Sequence, residues 1–506
     1  MLFNSYGFIF LYLPIVLVGF FLIAPRSHRL AALWLASSSV FFYGWWNTKF
    51  VSLLLASIVF NYGAGYLIGH ARLAGRSKRL LVGALIANLT LLGVFKYANF
   101  FIATASVAGA QVGLLEIALP LGISFFTFTQ IAFLVDVHRG IVREYNFIYY
   151  LLFVTWFPHL IAGPVLHHKQ MMPQFAQSAT YRLNAESIEV GLTLFSLGLF
   201  KKVVLADQFA LYANLVFDAV GNGGQPMLIE AWIGAVAYTL QLYFDFSGYS
   251  DMAIGLSRLF NVKLPLNFNS PYKAPNIIEF WRRWHMTLSA FLRDYLYVPL
   301  GGSRKGPMRR LANLMTTMLL GGLWHGAGWN FVLWGGLHGA YLAINHGWRK
   351  TIGTSAPSKI THVISVLVTF AAVVIAWVPF RATNFDAALA MLKGMAGING
   401  ISVARGLAPH MGSLLGGMVS VDGFAPLAGL PIRDTAIWLP CGLMIVWLLP
   451  NTQQWLGKFS PAWDAVTSSS HFAWQPTRRH AAFVGALLSL SLLSLTRASE
   501  FLYFQF

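Results

Sequence analysis

Three histidines raise the chemical question. His325 and His338 lie in the stretch Gly321-Gly-Leu-Trp-His-Gly-Ala-Gly-Trp-Asn-Phe-Val-Leu-Trp-Gly-Gly-Leu-His-Gly339, among seven glycines and three tryptophans, and His285 precedes His325 by forty residues. A neutral imidazole can take a proton from a hydroxyl as that hydroxyl attacks a carbonyl. A second imidazole or a carboxylate can orient the first or steady the developing oxyanion. Ionisable groups within an apolar run are costly in a bilayer, so they face protein or a cavity. The plain alternative is that each imidazole satisfies a buried hydrogen bond. Residue types alone leave both readings open for His285 and His325. His338 lies thirteen residues past His325 with helix-breaking glycines between them, so it is read as a packing or interhelical hydrogen-bonding residue.

Acids come next. Tyr243-Phe-Asp-Phe-Ser-Gly-Tyr-Ser-Asp251 places Asp245 and Asp251 at the expected end of an apolar segment. They could orient a histidine, bind a cation, or pair with Arg282 or Arg283. Lys201 and Lys202 with Asp207 read as a basic pair at a helix end with a nearby acid. No HExxH motif and no other ligand spacing is present, and Cys441 is the single cysteine, so no metal is expected. A GxGxxG after a strand, a Walker A loop and a GxSxG elbow are also missing, which leaves hydride transfer, ATP hydrolysis and serine-triad chemistry without support.

The elements that must position these groups are membrane helices. The chain is 57% hydrophobic and 10% charged, with a mean hydropathy of +0.61. Apolar runs near twenty residues recur without barrel-type alternation, so the spans should be helices. Candidate spans cover roughly 6–24, 30–46, 50–69, 80–95, 119–136, 147–165, 188–205, 228–246, 311–324, 329–346, 360–379, 436–449 and 480–496, about eleven to thirteen in all. The first is read as a retained span, since neither a basic n-region nor a cleavage site accompanies it. Net charge is +18, from 35 Lys and Arg against 17 Asp and Glu. The cations cluster between spans: Arg26 and Arg29; Arg72, Arg76, Lys78 and Arg79; His138, Arg139 and Arg143. That is the positive-inside pattern, with an outside N-terminus.

Residues 261–310 are too polar to span and are expected to form a cytoplasmic or interfacial loop with amphipathic helices. Within them, Ile278 to Tyr297 shows helical spacing, with Trp281, His285, Leu288 and Leu292 on one face. Residues 383–395 read as an amphipathic helix capped by Thr383 or Asn384, and 396–433 as a Gly-rich loop that is expected to be periplasmic. His167 and His168 are expected at the interface. The chain is read as one integral-membrane domain.

The segments Pro120-Leu-Gly-Ile-Ser-Phe-Phe-Thr-Phe128, Phe157-Pro-His-Leu-Ile-Ala-Gly-Pro164, Tyr243 to Asp251, Glu279-Phe-Trp-Arg-Arg-Trp-His-Met-Thr-Leu-Ser289, Arg293-Asp-Tyr-Leu-Tyr-Val-Pro-Leu-Gly-Gly302, Gly322-Leu-Trp-His-Gly326 and Tyr503-Phe-Gln-Phe506 resemble the membrane-bound O-acyltransferase family. The likeness is to its bacterial branch that O-acetylates polysaccharides such as alginate. It implies an all-α polytopic ring of helices around a thinned centre, in which His325 matches the family's invariant histidine and His285 its second active-site polar residue. Trp324, Trp281, His338, Asp245 and Asp251 are then expected as supporting or cavity-lining groups. The implied donor is cytoplasmic acetyl-coenzyme A, with no permanently bound cofactor. The implied partners are a periplasmic or membrane-anchored transferase, a polysaccharide synthesis and export complex and membrane lipid, with no nucleic acid. The place is the bacterial inner membrane. Arg282, Arg283, Arg304 and Lys305 suit coenzyme A phosphates by charge. His167-His168-Lys169, where relatives often carry arginine, and Val137-His138, where a Thr-Tyr pair is commoner, depart from the pattern. Other readings are an acyl-group channel without chemistry, or another acceptor: teichoic acid through D-alanylation, peptidoglycan, protein or lipid.

Overall fold

The computed structural model describes residues 1–72, 75–107, 109, 113–142, 146–161, 163–352, 358–402, 419–420, 432–466, 473–496 and 502. Arg143, Tyr503–Phe506 and most of the loop 396–433 lie outside them. In chain order the helices are α1 (Leu13–Ile23), α2 (His28–Gly44), α3 (Lys49–His70), α4 (Ser77–Leu92), α5 (Ala98–Val107), α6 (Ile123–Arg139), α7 (Phe147–Thr155), α8 (Phe157–Leu160), α9 (His168–Phe175), α10 (Ala185–Phe200), α11 (Asp207–Gly221), α12 (Leu228–Leu259), α13 (Ile277–Trp281), α14 (Met286–Leu292), α15 (Pro307–His325), α16 (Trp329–Ile352), α17 (Lys359–Arg381) and α18 (Phe385–Met395). The longer helices that follow are Ile432–Leu448 and Arg478–Ser494. The fold is all-α; the only strands among the described residues are the two-residue pair Ile401–Ser402 and Val419–Ser420.

By length and composition, Lys49–His70, Ser77–Val107 and Lys359–Arg381 are long and apolar enough to cross a membrane. Their outer faces are oily, as lipid contact demands. On α17, Ile360, Val363, Ile364, Leu367 and Val368 are exposed, whereas Val374 and Trp377 turn inward and are buried. The first span, expected over 6–24, is a π-turn at Phe8–Tyr12 running into α1.

Two expected spans need correction. The run 147–165 is broken into α7 and α8 at Trp156, whose ψ of 107° leaves the helical region, with Pro158 opening the next short turn. The run 228–246 is too short: α12 continues to Leu259, so Asp245 and Asp251 lie inside a helix and not at its end. This 32-residue helix is buried almost throughout its second half and packs against α10, α11, α17 and α18.

On one side of this spine, α3, α4 and α6 are joined by buried polar side chains. Asn61 and Asn88 exchange two amide bonds, of 3.0 and 2.7 Å, and Gln130 donates to Ser57 at 2.9 Å. In hydrocarbon, where apolar surface gives helices no reason to associate, such bonds fix registry. They anchor α4, which leads through a π-turn at Gly93–Tyr97 into α5. On α18 the cap is Asn384, whose side chain accepts from Ala387 N–H.

Candidate active site

The glycine-rich run folds as two helices crossing at unusually short range. A Cβ at Gly322 would collide with the carbonyl of Phe331, and one at Gly335 with the carbonyl of Met318. Only glycine lets the two backbones approach so closely. The chain breaks between them: α15 ends at His325, Gly326 is extended, and α16 starts at Trp329. His325 and His338 therefore do not share a helix, and Trp334 stands between them, its ring 5.0 Å from His325 and 4.8 Å from His338, centroid to centroid.

His285 reaches the same place from a different element. The expected continuous helix from Ile278 to Tyr297 is interrupted: α13 stops at Trp281, and His285 adopts φ 42°, ψ 53° as the N-cap of α14. A non-glycine residue in the left-handed region costs energy and persists only when its surroundings over-determine it. Here they do. Asn267 accepts Met286 N–H through its main-chain oxygen at 2.9 Å, while its side-chain Oδ1 accepts from Thr287 Oγ1 at 2.6 Å and lies 3.3 Å from His285 Nδ1. Thr287 Oγ1 in turn accepts Val165 N–H at 2.9 Å. The Thr287 proton being directed at Oδ1, that oxygen is the acceptor for His285 Nδ1–H, so the Nε2 lone pair is left free. Nε2 has no hydrogen-bond partner among the described residues. Asn267 and Thr287 were not singled out from the sequence; their position two residues after Pro265 and two after His285 was the available hint.

The His285 and His325 rings lie 6.4 Å apart, centroid to centroid, with Trp324 packed against both at 6.2 and 4.9 Å. His325 is only partly buried because it borders two cavities. One, of about 170 Å³, is lined by Lys96, Gly122, Ser124, Ile161 and Trp324 among others. The other, of about 20 Å³, is lined by Asp245, Phe246, Trp284, Trp377 and Phe380. Lys96 had no place in the sequence reading, and Trp284 entered it only within the segment 279–289.

The remaining expected residues sort differently. Asp245 faces the small cavity, yet its charge is met by Lys202 Nζ at 2.6 Å, and Lys202 also pairs with Asp207 at 3.1 Å. Asp251 pairs with Lys201 at 2.6 Å and accepts from Gln453 Nε2 at 2.7 Å. Neither acid pairs with Arg282 or Arg283, which lie beside Glu279 at 2.8 and 3.6 Å. His338 borders neither cavity. It is enclosed by Phe280, Trp281, Trp334, Tyr341 and Trp377, with both ring nitrogens unpartnered among the described residues. Trp281 belongs to that aromatic cage, its indole 5.8 Å from Trp334. Arg304 and Lys305 are exposed and Arg283 is half-buried. His168 is buried 3.4 Å from Asp136, which also accepts from Tyr295 Oη at 2.8 Å. Among the described residues, no three His, Cys, Asp or Glu side chains gather as metal ligands would.

A model of the membrane-bound O-acyltransferase family matches residues 92–380, which contain every group that lines the two cavities except Trp46 and Leu502. The chain is 45% identical over 438 residues to the peptidoglycan O-acetyltransferase of Helicobacter pylori, covering 80% of this chain and 81% of that protein. It is 43% identical over 402 residues to the probable alginate O-acetylase AlgI of Pseudomonas aeruginosa, covering 78% and 75%. To the probable alginate O-acetylase AlgI of Pseudomonas fluorescens it is 37% identical, with 100% of both chains covered.

Proposed function

The chain belongs to the membrane-bound O-acyltransferase family, and on that premise we propose that it carries acetyl groups across the bacterial inner membrane for polysaccharide O-acetylation. The donor is acetyl-coenzyme A on the cytoplasmic side. The immediate recipient is a periplasmic or membrane-anchored partner transferase, which esterifies an alginate-like or cellulose-like exopolysaccharide. Arg282, Arg283, Arg304 and Lys305, all in the polar segment 261–310, meet the coenzyme A phosphates.

The observation that carries this reading is the position of His325 between two cavities, with His285 across from it. A base that borders two cavities can meet a donor in one and an acceptor in the other. His325 takes the proton of the acceptor hydroxyl as its oxygen attacks the acetyl carbonyl carbon. The carbon–sulfur bond of the resulting tetrahedral intermediate then breaks, and the imidazolium returns the proton to the departing thiolate. His285, with Nδ1–H held by Asn267, offers Nε2 as an acceptor only. Its accessory work is therefore to hold the attacking hydroxyl or the His325 N–H, and donation to the oxyanion falls to other groups.

His325→Ala tests this directly. The variant inserts at wild-type levels while polymer acetyl ester disappears and purified protein no longer releases coenzyme A from acetyl-coenzyme A. Undiminished ester in that strain ends the catalytic assignment. The 45% identity to a peptidoglycan O-acetyltransferase favours peptidoglycan as the alternative acceptor; ester found on muramic acid and not on exopolysaccharide decides for it.

A further inference from the structure

Helix α15 ends in a way that calls for outside help. Gly326 leaves at φ −159°, ψ 147°, so no left-handed turn folds back to take the last carbonyls. Without water, an unpaired carbonyl at a helix end is expensive. The donors come from a single element more than 220 residues earlier. Tyr97 Oη donates to Leu323 O at 3.0 Å, and Lys96 Nζ donates to Trp324 O at 2.6 Å and His325 O at 3.3 Å. Ser124 Oγ lies 3.4 Å from the same ammonium, so its three protons have three acceptors.

Lys96 and Tyr97 are neighbours in sequence, and on a regular α-helix adjacent side chains diverge by about 100°. Both reach α15 because they occupy the π-turn Gly93–Tyr97, a widened turn of the kind that recurs at functional sites. No carboxylate among the described residues pairs with Lys96. A cation at membrane depth without a counter-charge is costly, and the negative end of a helix offsets part of that cost. The ammonium also lines the larger cavity beside His325.

We propose that Lys96 is a positioning residue for acyl transfer: by gathering the terminal carbonyls of α15 it fixes the His325 backbone, and with it the imidazole, against the cavity. This rests on the assignment of His325 as the base. A residue one step from the chemistry acts on the rate and leaves donor binding alone. Misplacing a base by about 1 Å costs on the order of a hundredfold in rate.

The test uses purified full-length protein in lipid vesicles, with acetyl-coenzyme A as probe and release of free coenzyme A as readout, the partner transferase being supplied together with alginate and peptidoglycan fragments. Lys96→Met should lower kcat by on the order of a hundredfold while the donor KM stays within about twofold. Lys96→Arg, which keeps the charge and several donors, should recover most of kcat. Should Lys96→Met fail to insert, Tyr97→Phe removes one O–H from the same helix end and should lower kcat at unchanged KM. Wild-type kcat in Lys96→Met, or in Tyr97→Phe where the first variant is lost, overturns the proposal. So does a loss confined to KM, or an arginine variant as poor as methionine. His325→Ala runs alongside: if it keeps turnover, the base assignment is what has failed, whereas a dead His325→Ala beside an active Lys96→Met refutes only the role of Lys96.

Discussion

Asn267→Ala probes how far the second histidine depends on its mooring. Oδ1 of Asn267 is the shared acceptor for Thr287 Oγ1 at 2.6 Å and His285 Nδ1 at 3.3 Å, and all three residues are buried. Truncation strands two donors at once. Each buried donor left without a partner costs about 1–3 kcal/mol. The Thr287 hydroxyl can rotate, and the 3.3 Å contact is the weaker of the two, so the sum belongs near the low end, about 2–3 kcal/mol. The His285 ring recovers its share by turning Nδ1 toward another acceptor, which takes Nε2 away from His325. At tenfold per about 1.4 kcal/mol, a loss of that size expressed in the transition state slows acetyl transfer by about 30- to 140-fold. The assay is coenzyme A release by vesicle-reconstituted protein supplied with the partner transferase, with thermal unfolding in detergent to show that the variant is intact. Thr287→Ser keeps the hydroxyl and serves as the control, with a rate close to wild type. A folded Asn267→Ala protein with undiminished turnover would refute the reasoning, because His285 would then need no orienting partner.

Two further outcomes follow from the surrounding packing. His338→Phe replaces an imidazole enclosed by five aromatic rings, and coenzyme A release should stay within about threefold with stability changed by less than about 1.5 kcal/mol. Lys202→Met leaves the buried Asp245 and its neighbour Asp207 without their cation, which should lower stability by about 3–5 kcal/mol in thermal or denaturant unfolding. Adding Asp245→Asn should restore part of that loss.

Most helices were legible because lipid imposes a simple rule on sequence. Eleven of the expected spans overlie observed helices with ends shifted by a few residues, for instance 50–69 against Lys49–His70 and 360–379 against Lys359–Arg381. The errors arose where apolarity and helicity part company. Trp156 breaks an apolar run that hydropathy reads as continuous. The second half of α12 carries Asp245, Ser247, Ser250 and Asp251, polar enough to look like a terminus. It stays helical and buried because Lys201, Lys202 and Gln453 arrive from elsewhere to meet the acids. Hydropathy counts such residues as a cost and has no access to the partners that cancel it.

The candidate site could be suspected from residue types, whereas its geometry was illegible, for the same reason. His325 stands out as an ionisable group in an apolar run, and the glycines around it announce a close crossing, which Gly322 and Gly335 provide. Helical spacing put His285 on the buried stripe of one long helix, whereas a left-handed residue at the break between α13 and α14 is what aims it. That conformation depends on Asn267, eighteen residues away, and the end of α15 depends on Lys96 and Tyr97, 226 to 229 residues away. Periodicity describes how a residue sits relative to its own helix. The placement of His285 and His325 is set by where helices start and stop, and in hydrocarbon a helix can stop only where some other segment supplies the missing donors. On the proposed role of Lys96, the donors at such ends belong to the reaction geometry, even when they lie far from it in sequence and carry no motif of their own.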